Sequence, residues 1–404
     1  MKVKIKKGIA RGYVDAPPSK SMAHRMLICA GLSGGICYVK GIAESQDILA
    51  TIDCLEALGA KCEKQGDCIK VVGVNVKELK ENVVLKCRES GSTLRFFIPI
   101  CLLADSKIKL LGSERLLQRP LEIYENICAE KGMFFMHNDN EVGVCGPLNA
   151  GVYKLAGNIS SQFVSGLLFA LPLLQHDSRI EITPPVESRS YINMTVSALD
   201  MFGVKVYWED ENTLLIPGNQ EYRAKEVTVE GDYSNASFLD ALNIFGGEVN
   251  IGNLAANSLQ GDRVYTAMYD KLKASKPELN LSDCPDLGPI LFAVASALDG
   301  GVFTGTARLR IKESDRATVM AEELKKFGVN VVVGEDQVIV DGGNLSEPLE
   351  ELYGHNDHRI VMSMAVLSTI TGGTIKGAEA VSKSFPDFFE KLKSLGIEVE
   401  VIED

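Results

Sequence analysis

Six times along the chain, a short polar opening is followed by an apolar, helix-like stretch rich in small residues. The openings read PSKSMAHR (18–25), RESGSTLR (88–95), NISSQF (158–163), DYSNASF (232–238), CPDLGP (284–289) and NDHR (356–359). Their markers Lys20, Ser92, Ser161, Ser234, Asp286 and Asp357 stand 72, 69, 73, 52 and 71 residues apart. A second signature travels with them: an amphipathic helix closed by Gly and handed to an alternating strand. It reads CLEALGAKC, CAEKGMFFM, ALDMFGVKVYW, ELKKFGVNVVV and KLKSLGIEVEV, with a weaker copy, KLKASKPELNL (271–281), in the remaining position. One helix–Gly–strand copy is commonplace in α/β proteins, whereas two signatures recurring in one order mark a repeat. Each unit is too short to bury a core alone, and 404 residues exceed one ordinary core. Units packed in threes therefore predict two similar α/β domains.

The polar openings place Ser, Asn or Asp where the buried helices begin, which are N-cap residue types. A helix start carries unpaired N–H groups and roughly half a positive charge, so it attracts anions. Six such starts facing one cleft between two domains would form an anion site.

Charge sharpens this expectation. The net charge of −12 argues against a nucleic-acid or anionic-membrane surface, so anionic ligands require locally gathered cations. The basic start MKVKIKKGIARGYV alternates like a strand and lacks the apolar centre of a signal peptide, and no run is long and apolar enough for a membrane span. A cytoplasmic protein is expected. The ten cysteines include no CxxC pair, and Cys29, Cys54 and Cys101 sit among apolar neighbours, as core thiols in a reducing compartment do. The five histidines show no ligand spacing, so no metal site is expected. Neither a GxxxxGK[ST] loop nor a dinucleotide glycine fingerprint is present.

Lys20, Arg25, Arg95, Arg119, Lys312, Arg316, Arg359 and Lys383 all fall within short motifs. Any one is ordinarily a solvated surface charge, but eight at corresponding places in repeats are not. Arg in particular grips phosphate and carboxylate with two parallel donors. Taken in order, PSKSMAHR, SGSTLR, LLQRP, SSQF, ESRSY, PDLGP, RIKESDR, NDHR and SKSFPDFF resemble the 5-enolpyruvylshikimate-3-phosphate (EPSP) synthase family, from Pro18 to Phe389.

The resemblance implies an inside-out α/β barrel in each domain, helices inside and sheets outside, with the chain crossing between domains twice. The expected division is residues 1–17 with 229–404, mainly the phosphoenolpyruvate side, and 18–228, mainly the shikimate 3-phosphate side. The active site would lie in the cleft between them and close on binding. The implied reaction moves the carboxyvinyl group of phosphoenolpyruvate to the 5-hydroxyl of shikimate 3-phosphate, by a monomer needing no cofactor.

Carried over residue by residue, the resemblance gives shikimate 3-phosphate to Lys20, Ser21, Arg25, Ser160, Ser161, Gln162, Ser188, Asp286 and Lys312. It gives phosphoenolpyruvate to Lys20, Gly91, Arg119, Gln162, Arg316, Arg359 and Lys383. Asp286 and Glu313 become the catalytic pair: Asp286 as base at the hydroxyl, Glu313 as proton donor at C3. Ser21 and Arg25, four apart, share a helical face, and Tyr191 lies near Ser188 in sequence. His358 is a ligand contact or a structural histidine. The bland alternative for the serines and for Asp286 is N-cap duty.

Two departures from the family pattern stand out: Glu89-Ser90-Gly91-Ser92 where Asn-x-Gly-Thr is usual, and Arg308 at an Asn position of some relatives. A rival is the related transferase acting on UDP-N-acetylglucosamine, which usually carries a loop cysteine five residues before an Arg-Pro. Here that place is Glu114, with no cysteine between Cys101 and Cys128. A non-catalytic anion-binding scaffold would have no use for Asp286 and Glu313 among the cations.

Overall fold

The computed structural model describes residues 1–76 and 83–402. The chain divides into two compact units, Met1–Pro17 with Gly231–Asp404 and Pro18–Glu230. Each has a hydrophobic cluster of its own.

One complete repeat shows the plan. Strand Val84–Lys86 leads into the buried helix Gly91–Cys101, and strand Ile108–Leu111 then pairs parallel to the first, Leu85 opposite Leu110. The helix Glu122–Lys131 follows, then an antiparallel hairpin of Phe134–His137 and Glu141–Cys145, the latter joined to Ile108–Leu111. The result is a four-stranded sheet, and the same ladder is found in five of the six sheets among the described residues.

The exception explains the short step in the repeat. After Ser234 the helix Tyr265–Ala274 runs directly to strand Glu278–Asn280, which opens the next sheet. No hairpin intervenes, the sheet of this repeat has only two strands, and the helix ends at Ser275 in extended conformation. KLKASKPELNL is thus a helix end joined to the next repeat's first strand. The 52-residue step is one hairpin short.

At the two crossings the strands trade partners. Strand Arg11–Asp15 precedes the first helix of the other unit but pairs parallel with Glu248–Gly252, Tyr13 opposite Asn250. Strand Glu226–Thr228 pairs parallel with Ile36–Lys40, Val227 opposite Val39. Strand Lys2–Ile5 completes the sixth sheet between Gly373–Lys376 and Val399–Ile402.

The inner helices are buried nearly all round. Every residue of Gly288–Ser296 is buried, as is all of His358–Thr371 except Ile370. A helix without a polar face is stable only when enclosed. In Pro18–Glu230 the helices Lys20–Gly31, Gly91–Cys101 and Ser161–Ala170 fill this inner place, as Tyr233–Ile244, Gly288–Ala297 and His358–Thr371 do in the other unit. The second helix of each repeat is amphipathic. In five of them Gly59, Gly132, Gly203, Gly328 and Gly396 follow at φ between 71° and 108°, where a side chain would be strained. Eight cysteines are buried, and burial pushes the Cys29, Cys54 and Cys101 thiols well up, as core thiols.

The fold class matches the expected two α/β units of three repeats. No helix among the described residues is long and apolar enough to cross a membrane.

Candidate active site

Five of the six inner helices begin at a side-chain cap: Ser19, Ser90, Ser160, Asp232 and Asp357 each accept from a backbone N–H of the first turn. The fifth repeat differs. Helix Gly288–Ala297 follows the short 3₁₀ turn Pro285–Leu287, and its cap position, Leu287, gives no side-chain bond. Asp286 is therefore not an N-cap, and its carboxylate turns to cations instead.

Arg316 opens helix Arg316–Lys326 and is 1 % exposed. Its guanidinium donates from NH1 to Asp286 Oδ1 at 2.8 Å, from NH2 to Glu313 Oε2 at 2.8 Å and from Nε to Asp357 Oδ2 at 2.8 Å. Lys312 Nζ lies 3.2 Å from Asp286 Oδ1, and Arg359 NH2 donates to Asp286 Oδ2 at 3.2 Å. Arg359 NH1 reaches Ser234 Oγ at 2.6 Å and the Asp286 carbonyl at 3.1 Å. Asp357, fully buried, also accepts from Ser314 Oγ and from the Arg359 N–H at its own helix start. Lys383 Nζ donates to the Asn356 carbonyl at 2.6 Å. Asp286, Lys312, Glu313, Arg316 and Arg359 thus form one cluster, three cations interleaved with Asp286, Glu313 and Asp357.

Burial alone would push the Asp286 carboxyl up. Arg359, Lys312 and Arg316 outweigh it and hold the group well below the usual carboxylate range. Burial lowers the Lys312 ammonium, and Asp286 only partly offsets this. Both shifts are downward, and perturbed titratable groups gathered in one cluster are common at functional sites.

The unit Pro18–Glu230 gathers the rest in two groups. Lys20 Nζ pairs with Asp47 at 2.7 Å. Buried Arg25 donates to the Ser21 carbonyl (2.7 Å), the Tyr191 carbonyl (2.9 Å) and Thr195 Oγ1 (2.7 Å), which in turn meets Ser165 Oγ at 2.8 Å. Its cation lies over the Phe96 ring, 5.3 Å from the centroid, and burial lowers its pKa to about 10. Ser188 stands just before helix Arg189–Met201 at φ 55°, so it caps nothing with its side chain.

In the second group Gln162 bridges repeats: its Oε1 accepts from Arg95 NH1 at 2.8 Å and its Nε2 donates to Ser92 Oγ at 3.0 Å. Ser160 Oγ caps the Gln162 N–H, and Ser161 opens the same helix. Arg119 lies against Gly91, where an added Cβ would fall 2.4 Å from Arg119 NH1. Only glycine lets that guanidinium approach the helix start. Arg119 is nearly buried, and its Nε meets no partner among the described residues. Arg308 is also buried and donates to the Ser282 carbonyl.

A hydrogen-bond chain links helix Lys20–Gly31 to the cap of helix Gly91–Cys101. His24 Nδ1 lies 2.8 Å from Thr51 Oγ1, Thr51 Oγ1 lies 2.8 Å from Thr93 Oγ1, and Thr93 Oγ1 donates to Ser90 Oγ at 2.7 Å. Thr93 has one hydroxyl proton, given to Ser90, so Thr51 must donate to Thr93 and accept from His24 Nδ1–H. Nδ1 of His24 therefore carries a proton. Burial, Lys20 and Arg25 together hold its pKa well below 6.5. The unfolded chain takes up a proton near the ordinary value that the folded protein refuses, so stability should fall as pH drops from 7 to 5. This group contributes a slope of at most about 1.4 kcal/mol per pH unit. His24→Asn, which keeps a donor toward Thr51, should flatten that part of a plot of urea midpoint against pH.

Comparison with known proteins decides what this constellation belongs to. The family model described as EPSP synthase (3-phosphoshikimate 1-carboxyvinyltransferase) matches residues 6–392. The chain belongs to the EPSP synthase family. It is 38% identical over 419 residues to the 3-phosphoshikimate 1-carboxyvinyltransferase of Clostridium botulinum strain Alaska E43, covering 97% of each chain. It is 39% identical over 421 residues to the enzyme of that name from Clostridium acetobutylicum, covering 98% of each. An EPSP synthase structure from Acinetobacter baumannii superposes with a TM-score of 0.80 at 23% identity, over 99% of this chain and 100% of that one, so the fold is shared.

Three partners escaped reading from sequence: Asp47 on Lys20, Asp357 on Arg316 and the Asn356 carbonyl on Lys383. Asp357 had a signal, as an acidic residue at a repeat's helix start. The other two had none.

Proposed function

We propose that the chain transfers the carboxyvinyl group of phosphoenolpyruvate to the 5-hydroxyl of shikimate 3-phosphate, releasing phosphate. The observation that carries this reading is the Arg316 fork, which gathers Asp286 and Glu313, a pair of proton-transferring carboxylates, among Lys312 and Arg359. Cations for anionic substrates and carboxylates for proton transfer occupy one place.

The chemistry runs by addition and elimination. The hydroxyl gives its proton to Asp286 as its oxygen bonds to C2 of phosphoenolpyruvate, while C3 gains a proton from Glu313. The tetrahedral adduct then expels phosphate as the bond from C2 to the phosphate oxygen breaks, Asp286 passes its proton to the departing phosphate, and the C3 methyl returns a proton to Glu313, restoring the double bond. Each proton transfer of this kind contributes about 10²–10⁴-fold. Arg316, Arg359, Lys383, Arg119, Gly91, Gln162 and Lys20 hold phosphoenolpyruvate. Lys20, Ser21, Arg25, Ser160, Ser161, Gln162, Ser188, Lys312 and Asp286 hold shikimate 3-phosphate. Arg25 and Gln162 are held by several bonds each, and such preorganisation favours catalysis.

In the substrate-free protein Asp286 and Glu313 occupy the donors that this reading gives to substrate anions. Phosphoenolpyruvate would displace them, freeing Glu313 to take a proton and Asp286 to accept one. Phosphate release from phosphoenolpyruvate tests the reading, run with shikimate 3-phosphate, with UDP-N-acetylglucosamine and without acceptor. Release with shikimate 3-phosphate alone is expected. Release only with the sugar nucleotide would move the chain to the rival transferase, and none with any acceptor would leave an anion-binding scaffold.

A further inference from the structure

Two consecutive residues with side chains, His355 and Asn356, adopt φ of 48° and 54°, in the left-handed region that L-residues disfavour. They stand directly before Asp357 and Arg359. Such a turn persists only where its surroundings over-determine it, and here they do. Upstream, Gly354 N–H donates to the Lys376 carbonyl at 2.8 Å, and a Cβ there would lie 2.6 Å from Val361 Cγ2. Downstream, Asp357 is held by Arg316 and Ser314.

The remaining anchor lies outside the groups assigned to substrates. Glu323, 1 % exposed, sits two turns along the helix that Arg316 begins. Its carboxylate accepts from Tyr353 N–H at 2.9 Å, from Lys326 Nζ at 2.9 and 3.0 Å, and pairs with His355 Nε2 at 2.8 Å. Lys326 Nζ also donates to the Glu351 carbonyl at 3.0 Å, and the Tyr353 ring packs edge-on to His355 with centroids 4.7 Å apart. Helix Arg316–Lys326 therefore grips segment 351–359 at both ends, through Arg316–Asp357 and through Glu323–His355. Between the grips lies the strained turn whose Asn356 carbonyl receives Lys383.

We propose that Glu323 and His355 are positioning residues: their half-buried pair fixes the turn that sets Arg359 and Lys383 for phosphoenolpyruvate. Neither touches substrate. The proposal rests on assigning Arg359 and Lys383 to that substrate.

The test compares steady-state kinetics and amide hydrogen exchange in the full chain. In His355→Ala the amides of 355–359 should exchange about ten-fold faster or more. KM for phosphoenolpyruvate should rise about five- to twenty-fold, with kcat and KM for shikimate 3-phosphate changing less than about three-fold. His355→Gln, whose amide nitrogen reaches as Nε2 does, should restore wild-type KM, and Glu323→Gln should behave like His355→Ala. Arg359→Ala serves as the control for the substrate assignment. Unchanged exchange in His355→Ala overturns the proposal. So does faster exchange with KM unchanged while Arg359→Ala raises it, and so does a loss spread over kcat and both KM values. If Arg359→Ala itself leaves KM unchanged, the phosphoenolpyruvate assignment fails instead, and exchange still decides whether the pair holds the turn.

Discussion

Asp286→Asn should lower kcat about 10³-fold while KM for phosphoenolpyruvate stays level or falls. The two effects have separate causes. The amide keeps the shape of the carboxylate but cannot accept the hydroxyl proton, and about 4 kcal/mol of barrier corresponds to that loss in rate. Meanwhile Lys312, Arg316 and Arg359 lose the anion that each contacts in the free protein. A substrate anion then meets cations with one competitor fewer. A merely structural Asp286 would instead raise KM and lower thermal stability together. Initial rates over a grid of both substrate concentrations separate these outcomes.

Arg316→Met should cost about 3–5 kcal/mol of stability at pH 7.5, because Asp286, Glu313 and Asp357 all lose their shared partner. The sign of its pH dependence follows from Asp286. Its folded pKa is depressed, partly by Arg316, so it contributes stability above about pH 4, the unfolded value, and loses it as pH falls through the folded one. The variant forfeits that share at neutral pH. Its deficit should shrink toward pH 4, where protonation relieves the stranded carboxylates. Trp208, the single tryptophan, lies in Pro18–Glu230 and reports that unit alone, whereas circular dichroism sees both. The urea midpoint by circular dichroism should drop with the Trp208 fluorescence transition in place. A shift of both would mean that the two units unfold together.

What the sequence reveals is what short-range chemistry encodes. The inner helices show through their apolar runs and five of their caps, and the outer ones through glycines whose left-handed φ only a few residues tolerate. The 52-residue step shows too, although it reads as a missing hairpin only once the sheets are traced. Strand exchange does not. Arg11–Asp15 and Glu226–Thr228 are short and of ordinary strand period, and nothing local tells either to pair with Glu248–Gly252 or Ile36–Lys40. The site divides the same way. Its cations stand in motifs, but the counter-charges that hold them come from elsewhere in the fold: Asp47 lies 27 residues from Lys20, and Asp357 lies 41 from Arg316. Asp286 reads as a helix cap until the 3₁₀ turn at Pro285–Leu287 aims it at Arg316.

The crossings carry a consequence of another kind. Ser19 N–H donates to the Glu230 carbonyl at 2.7 Å, and Asp232 N–H donates to the Pro17 carbonyl at 2.8 Å. Each unit is therefore sewn shut at its own seam, beside the peptide bonds that link it to the other. Cutting the gene after Pro17 and after Glu230 would leave every strand ladder intact. The stretch 18–230 becomes a cassette with adjoining ends, and a short graft from residue 17 to 231 rejoins what is left. A chain that looks threaded back and forth is, at the level of the gene, one module inserted into another.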